Sequence, residues 1–194
     1  NSISAKVTVL PKTDGRVLLL SENFDGLPLG PSVDELIPRD NVWTKTPPTG
    51  WSIDDSGVPG VGTDDDGVTE WAGWSFANRA WWAETGGDQQ RSQFTKGTGT
   101  SAIADSDEWD DVPHAAGNMA TYLKTKAISL DGVKAGTVIL KFDSSWRPET
   151  PQKANLTVSF DGNTPVEVLR FESDTASAHF HPDETNETIA LRIN

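Results

Sequence analysis

Short stretches in which apolar and polar residues alternate run along most of this chain, and clusters of Gly, Pro and Asp separate them. Alternation over several residues is the pattern of a β-strand that buries one face. A short helix is predicted at 71–84, where aromatic residues and alanine recur every three to four positions. Strands are predicted at 5–10, 15–24, 50–57, 91–97, 100–105, 120–130, 136–148 and 186–194, with a hairpin at 153–174 around the turn DGNTP.

Many short strands, at most one short helix and long Gly/Pro/Asp-rich loops predict an all-β fold, a jelly-roll β-sandwich of two antiparallel sheets. No linker, repeat or shift in composition divides the sequence, so we expect a single domain over 1–194. Strand 186–194 has no return strand after it, and an unpaired edge is a liability. We therefore expect a closing C-terminal strand to be missing, and another segment or a neighbouring chain to complete the sheet.

The charge of the chain limits its partners. The formal net charge is −13 and the isoelectric point is about 4.5, which disfavours nucleic acid and anionic membranes. The sequence contains no cysteine and no apolar run long enough to span a membrane. The acidic composition and a start at Asn1 without Met favour a secreted protein whose signal sequence has been removed.

Two acidic stretches are candidate calcium sites. Calcium binds six to eight oxygen atoms on loops that can wrap around it. The stretch ADSDEWDD at 104–111 does not have the spacing of an EF-hand, and its alternative interpretation is a solvated loop anchored by Trp109. A nearby Arg would offset the same charge. The predicted Ca²⁺ ligands are Glu22 and Asp25 in SENFDG, and Asp105, Asp107, Asp110 and Asp111 in the second stretch.

Eight tryptophans stand beside a single tyrosine, and four of them lie within 71–82. An exposed indole ring stacks on the C–H face of a sugar, and Arg or Gln side chains can bind the hydroxyl groups. The same rings also serve as large core residues, which is the alternative for each of them. The residues predicted to bind carbohydrate are Trp74, Arg79, Trp81, Trp82, Arg91 and Trp146.

Catalytic motifs are scarce. The sequence has neither a G-x-S-x-G nucleophile elbow nor a phosphate-binding glycine loop, and its three histidines do not complete a metal motif. The chain supplies many carboxylates, so a glycosidase or lyase on the same fold stays open as an alternative. A structural subunit of a surface assembly, completed by a strand from a neighbour, is the other alternative.

The run from SENFDGLPLGP through VWTKTPPTGWSIDDSG and DGVTEWAGWSFANRAWW to SAIADSDEWDD resembles accessory domains of secreted bacterial hydrolases, notably calcineurin-like metallophosphoesterases. It is similar to concanavalin-like and carbohydrate-binding jelly rolls, in which an E-x-F-D/E-G opening is frequent. The resemblance covers about residues 21–190. It implies a calcium-stabilised, non-catalytic module that binds carbohydrate or anchors a hydrolase near its substrate. The chain lacks the metal-binding segments of the phosphoesterase active site.

Overall fold

The computed structural model describes residues 15–193 in full and the backbone of residues 2–6. Strands take up 33% of the residues and helices 9%, so the fold is mostly β. The helices are α1 (Arg79–Thr85) and α2 (Ser106–Trp109), with 3₁₀ turns at Thr69–Trp71 and Arg91–Gln93. The strands are β1 (Ser2–Lys6), β2 (Trp43–Thr44), β3 (Ser52–Gly57), β4 (Ser75–Asn78), β5 (Thr100–Asp105), β6 (Ala120–Lys124), β7 (Ile139–Arg147), β8 (Lys153–Val158), β9 (Val166–Glu172) and β10 (Glu184–Arg192).

A six-stranded antiparallel sheet organises the fold, in the order β10-β7-β1-β5-β4-β2. The first strand of the chain therefore lies in the middle of the sheet, between strands that follow it by about a hundred residues or more. Two further antiparallel pairs, β3 with β6 and β8 with β9, form separate two-stranded sheets. No helix in the described part of the chain has the length and apolar character needed to cross a membrane.

Strands β4 and β5 are buried on both faces, because consecutive residues of a strand point to opposite sides. Phe76 and Ala102 join one apolar cluster, while their neighbours Ala77 and Ile103 join another. The β3–β6 pair covers the first cluster with Ile53 and Leu123. The second cluster is rich in tryptophan and includes residues of α1. The β4–β5 part of the sheet is thus packed between the β3–β6 pair and a layer of short helices and loops.

Buried tryptophans fasten the loops to this core through their indole N–H groups. Trp43 donates to the carbonyl of Pro31 at 2.7 Å, and Trp81 donates to that of Ile37 at 3.0 Å. Trp109 donates to the carbonyl of Asp66 at 2.6 Å. A buried indole needs such a partner, and here the partner is usually loop backbone. The long loops of this fold are therefore held by aromatic side chains rather than by strand pairing.

Much of the predicted strand pattern is confirmed. Strands β3, β5, β7 and β10 and the β8–β9 hairpin form where alternation predicts them, and β6 covers the first half of its predicted segment. The prediction of a mostly β fold is confirmed, although the described residues form three antiparallel sheets and not two. Of the strand predicted at 5–10, residues 5 and 6 belong to β1, and residues 7–10 lie outside the described part of the chain.

Three predicted elements differ in the structure. Residues 15–24 form no strand: they are largely exposed up to Leu19, and a turn follows. Residues 91–97 form a 3₁₀ turn followed by a hydrogen-bonded turn, because Arg91 is drawn into the core by carboxylates. The helix predicted at 71–84 is restricted to α1, since Asn78 caps its N-terminus by accepting hydrogen bonds from the amides of Ala80 and Trp81. The second helix, α2, was not predicted.

Two glycines in the loop around Asp66 offer a matched test of how closely this loop packs against Trp109. Gly67 and Gly62 share a positive φ of 77°, which costs any other residue about 1–2 kcal/mol. A Cβ atom at Gly67 would lie 2.4 Å from the Trp109 carbonyl oxygen, whereas one at Gly62 would meet no described atom within 4 Å. We expect Gly67→Ala to lower the free energy of unfolding by about 1–3 kcal/mol more than Gly62→Ala, measured by urea titration. Equal losses would show that the loop yields freely around Trp109.

Candidate functional site

A buried arginine lies at the centre of the acidic stretch 104–111. The Arg91 side chain is 2% exposed, and its guanidinium contacts three carboxylates. Its Nη2 atom lies 2.9 Å from Asp105 Oδ2 and 2.7 Å from Glu108 Oε1. The third carboxylate is that of Asp107, at 3.3 Å. Nη1 donates to the carbonyl of Gly86 at 2.7 Å. Arginine suits this position because its planar group offers five donors in fixed directions.

Asp105 is the most enclosed member of this cluster. Its carboxylate accepts hydrogen bonds from Arg91 Nε at 2.9 Å and from Trp82 Nε1 at 2.8 Å. It also caps α2 by accepting a bond from the Glu108 amide. Burial acts to raise the pKa of Asp105, but the surrounding positive charge, including Arg91, outweighs burial and holds that pKa below its usual range. Asp105 is therefore a charged structural residue that connects β5, α1 and α2.

Glu108 has a strongly perturbed carboxyl. Burial raises the pKa of Glu108 to about 7, and the charge of Asp105 adds to the rise, while Arg91 opposes it. A value near neutrality is typical of a general acid. The Glu108 carboxyl is only 5% exposed, however, and it borders neither of the two open clefts described below. Its position supports a structural role in the core and not contact with a substrate.

The predicted calcium ligands lie in two separate places. Asp105 and Asp107 contact Arg91 at the end of β5, with Asp110 and Asp111 exposed just beyond α2. The other two, Glu22 and Asp25, lie at the turn after residue 21 and accept hydrogen bonds from backbone amides. Glu22 accepts a bond from the Phe24 amide at 2.7 Å, and Asp25 accepts one from the Thr100 amide at 2.9 Å.

These six residues do not assemble into one coordination shell. Within the described residues, no group of three or more His, Cys, Asp or Glu side chains is arranged to hold a metal ion. The sequence predicts that either a cation or a nearby Arg offsets the negative charge of this stretch. In the structure Arg91 supplies positive charge there. An excess of carboxylates nevertheless remains at 105–111, and burial together with the charge of Asp107 raises the pKa of Asp110.

The structure separates the residues predicted to bind carbohydrate. Trp81, Trp82 and Trp146 are at most 1% exposed, and Arg91 is committed to the carboxylates. A ring with no exposed face cannot stack on a sugar, so these four residues belong to the core in this conformation. Two of the six remain partly accessible. Trp74 packs at the edge of the Phe76 cluster, and Arg79 donates to the carbonyl of Ser92 at 3.3 Å. Neither of them lines the Trp51 cleft or the acidic cleft described below.

Trp51, which was not among the predicted site residues, borders an open cleft of about 280 Å³. It is half-buried, unlike six of the eight tryptophans. The Trp51 amide donates to the Pro48 carbonyl at 2.8 Å, closing a turn in which Gly50 takes a positive φ of 82°. Phe24 contacts the indole edge-on, with the ring centroids 5.7 Å apart. The sequence signal was the turn PPTGW, which places an aromatic ring directly after a turn glycine.

Polar groups surround the Trp51 ring. Ser21, Glu22, Thr49 and Lys126 line the cleft together with apolar Leu20, Gly26, Leu27 and Pro48. The cleft therefore combines an aromatic ring with hydroxyl, carboxylate and ammonium groups. This combination can hold a small polar ligand that also has an apolar face.

A second cleft, of about 560 Å³, is acidic. Asp34, Asp64 and Asp66 line it together with Thr63 and Thr69. The Asp34 carboxylate accepts a bond from the Thr69 amide at 3.0 Å, which ties the loop at 34 to the 3₁₀ turn. Its negative charge disfavours anionic ligands. The Trp51 cleft is the only one of the two that offers an aromatic ring.

No family model, no curated protein and no solved structure matches this chain. The resemblance to accessory domains of bacterial hydrolases therefore stays a prediction from the sequence.

The raised pKa of Glu108 predicts how stability depends on pH. A folded-state pKa of about 7, above the ordinary value of 4.5, means that protonation of Glu108 favours the folded state. Its stabilising contribution is fully present below pH 4.5 and is lost as the pH rises through 7, by up to about 3 kcal/mol. We expect Glu108→Gln to gain stability over the wild-type protein as the pH rises from 4.5 to 8, measured by urea unfolding.

The matched control for this experiment is Glu84→Gln, which removes a carboxylate that is 49% exposed and paired with Arg39. Its difference from the wild-type protein should stay within a few tenths of a kcal/mol over the same pH range, because exposed ion pairs contribute little. A pH-independent difference for Glu108→Gln would show that Arg91 keeps this carboxylate ionised.

Proposed function

We propose that this protein is a secreted, non-catalytic β-sandwich module of jelly-roll type that binds carbohydrate in the Trp51 cleft. In this role it would hold a linked hydrolase near its polysaccharide substrate. The observation that carries the proposal is the Trp51 ring, which packs edge-on against Phe24 and lines the cleft together with four polar side chains. No other tryptophan in the described residues borders either cleft.

The chemistry of the cleft favours a sugar over other small ligands. A pyranose ring presents a face of C–H groups to an indole and a rim of hydroxyl groups to polar side chains. Thr49 and Ser21 are exposed and can exchange hydrogen bonds with hydroxyl groups, while Glu22 accepts and Lys126 donates. The volume of about 280 Å³ lies just below the range for ligand clefts, about 300–1,000 Å³, so the cleft suits a short sugar segment of one or two rings.

The support for a non-catalytic role is the environment of the perturbed carboxyls. A glycosidase needs two carboxyl groups that face the same substrate, about 5–10 Å apart. The carboxyl with a pKa near 7, Glu108, is enclosed with Arg91. The Trp51 cleft contains a single carboxylate, that of Glu22.

Binding to a panel of neutral and acidic polysaccharides, by affinity electrophoresis and calorimetry, tests the proposal. We expect Trp51→Ala to weaken binding to the preferred polysaccharide at least tenfold, about 1.4 kcal/mol. Lys126→Ala, at an exposed position in the same cleft, should weaken it less and leave folding unchanged. Tyr122→Ala is the control, because that ring is 56% exposed and borders neither cleft. The absence of binding to every polysaccharide would refute the proposal, and so would equal losses for Trp51→Ala and Tyr122→Ala.

Calcium binding by the acidic stretch 105–111 is a separate proposal. Its support is the number of carboxylates, since the stretch contains five and Arg91 contacts three of them. An ion that binds only the folded state adds about 2.7 kcal/mol at 100 times its dissociation constant. We expect excess EGTA to lower the melting temperature and restored calcium to raise it again. Superimposable melting curves would contradict the proposal and leave Arg91 as the charge that offsets the cluster.

A further inference from the structure

The first strand of the chain occupies a slot between two strands that do not pair with each other. In β1, Ser2 to Ala5 lie opposite Asp105 to Ala102 of β5, and Ser2 to Lys6 lie opposite Arg147 to Asp143 of β7. Both pairings are antiparallel, so β1 joins the β5-β4-β2 half of the sheet to the β7-β10 half. Taking β1 out would leave two facing strand edges with unpaired backbone amides and carbonyls.

Those two strand edges are buried, so their backbone groups cannot be satisfied by water if β1 is absent. All six residues of β5 are buried, and so are Ser144, Ser145 and Trp146 on β7. A buried backbone group without a partner costs about as much as a lost hydrogen bond. The slot therefore requires a strand, and it recognises one mainly by main-chain hydrogen bonds on both sides.

Residues 15–21, the first described residues after β1, form no strand and are mostly exposed. In sequence, residues 7–14 separate β1 from the described residues that follow, and residues 15–42 contain no strand. Val17, Leu18 and Leu19 are consecutive and 74%, 56% and 38% exposed. Three adjacent apolar residues with strand-like sequence are an unusual surface feature for a chain of this charge. Their exposure leaves an apolar surface that a second copy of the chain can cover.

We propose that two copies of this chain exchange their first strands, so that β1 of each copy fills the slot between β5 and β7 of the other. The exchanged strand makes the same hydrogen bonds in the partner as in its own chain, so exchange costs little in the slot itself. The linker segments around 17–19 then cross between the copies, where they can cover each other. This inference is independent of the proposed carbohydrate binding.

The occupant is a second copy and not an unrelated strand, because the slot is fitted to β1 on both sides. Its contacts are long-range in sequence, and a strand from another chain competes with the tethered β1 at protein concentrations near the effective concentration of a tethered segment, about millimolar. The net charge of −13 opposes association between copies. Since the Debye length is about 10 Å at 0.1 M ionic strength and 3 Å at 1 M, salt should increase the dimer fraction.

The absence of cysteine from the sequence allows a direct test. Ser4 of β1 and Ser145 of β7 are register partners, and opposite Cβ atoms on antiparallel strands lie about 4.5–5.5 Å apart. Full-length Ser4→Cys and Ser145→Cys chains carrying different tags are unfolded, mixed, refolded together at high concentration and oxidised mildly. Exchange predicts a disulfide-linked heterodimer containing both tags, with about half of all dimers cross-linked by random pairing of the two variants.

Two controls fix the interpretation. A single chain carrying both substitutions should form an internal disulfide as a monomer, which shows that β1 fills the slot as described. Ser4→Cys mixed with Ser177→Cys, which is not a register partner, should give no heterodimer. An internal disulfide without any heterodimer in the Ser4→Cys and Ser145→Cys mixture would overturn the proposal. Failure of the doubly substituted chain to cross-link would overturn it as well, because β1 would then not occupy the slot.

The linker supplies a second measurement. Val17→Glu combined with Leu18→Glu should lower the dimer fraction at least fivefold by light scattering. Leu36→Glu, at a residue that is 91% exposed outside the linker, should leave it unchanged. A wild-type protein that stays monomeric at millimolar concentration and high salt would also refute strand exchange.

Discussion

The ion pair between Arg91 and Asp105 is the constraint on which the acidic half of the fold depends. Both side chains are at most 2% exposed, so neither charge can be balanced by water. The pair joins the end of β5 to the 3₁₀ turn at 91–93, and the Trp82 indole joins it to α1. Removing one partner would leave a buried charge without compensation, which typically costs about 3–5 kcal/mol. Four other carboxylates of the 105–111 stretch are tolerated because this pair is in place.

Tryptophan provides the second organising interaction. Where strands are short and loops are long, backbone carbonyls of the loops need partners near the core. Trp43, Trp81 and Trp109 supply them while their rings fill the apolar cluster beneath. Tryptophan therefore both fills the core and provides loop carbonyls with hydrogen bonds, which strand pairing provides elsewhere in the fold. Trp51, which follows a turn, is half-buried and borders an open cleft, so its indole is available to a ligand.

The sequence predicted the elements whose signals are local. Alternation around DGNTP indicated the β8–β9 hairpin, and the runs at 100–105 and 139–147 are strands as expected. It could not show that Arg91 turns inward to meet Asp105, because that contact joins residues on different elements through packing. It therefore assigned Arg91 to a sugar and Asp105 to calcium. Composition likewise could not tell a buried indole from an exposed one, so Trp81 and Trp82 were preferred over Trp51.

The placement of β1 had no signal at all in the sequence, because strand order depends on contacts across more than a hundred residues. It has a consequence for the proposed carbohydrate site. Leu20 and Ser21, which line the Trp51 cleft, directly follow the exposed linker at 17–19. Strand exchange would hold this linker between two copies and so would fix one wall of each cleft. If the dimer binds a ligand more tightly than the monomer does, the ligand increases the dimerisation constant. For each cleft the factor is the same as the gain in ligand affinity, because coupling between two binding equilibria is reciprocal. A dimer would also carry two clefts. Once one cleft has bound a repeating polysaccharide, the second cleft binds the same chain at a high effective concentration, so the overall affinity rises.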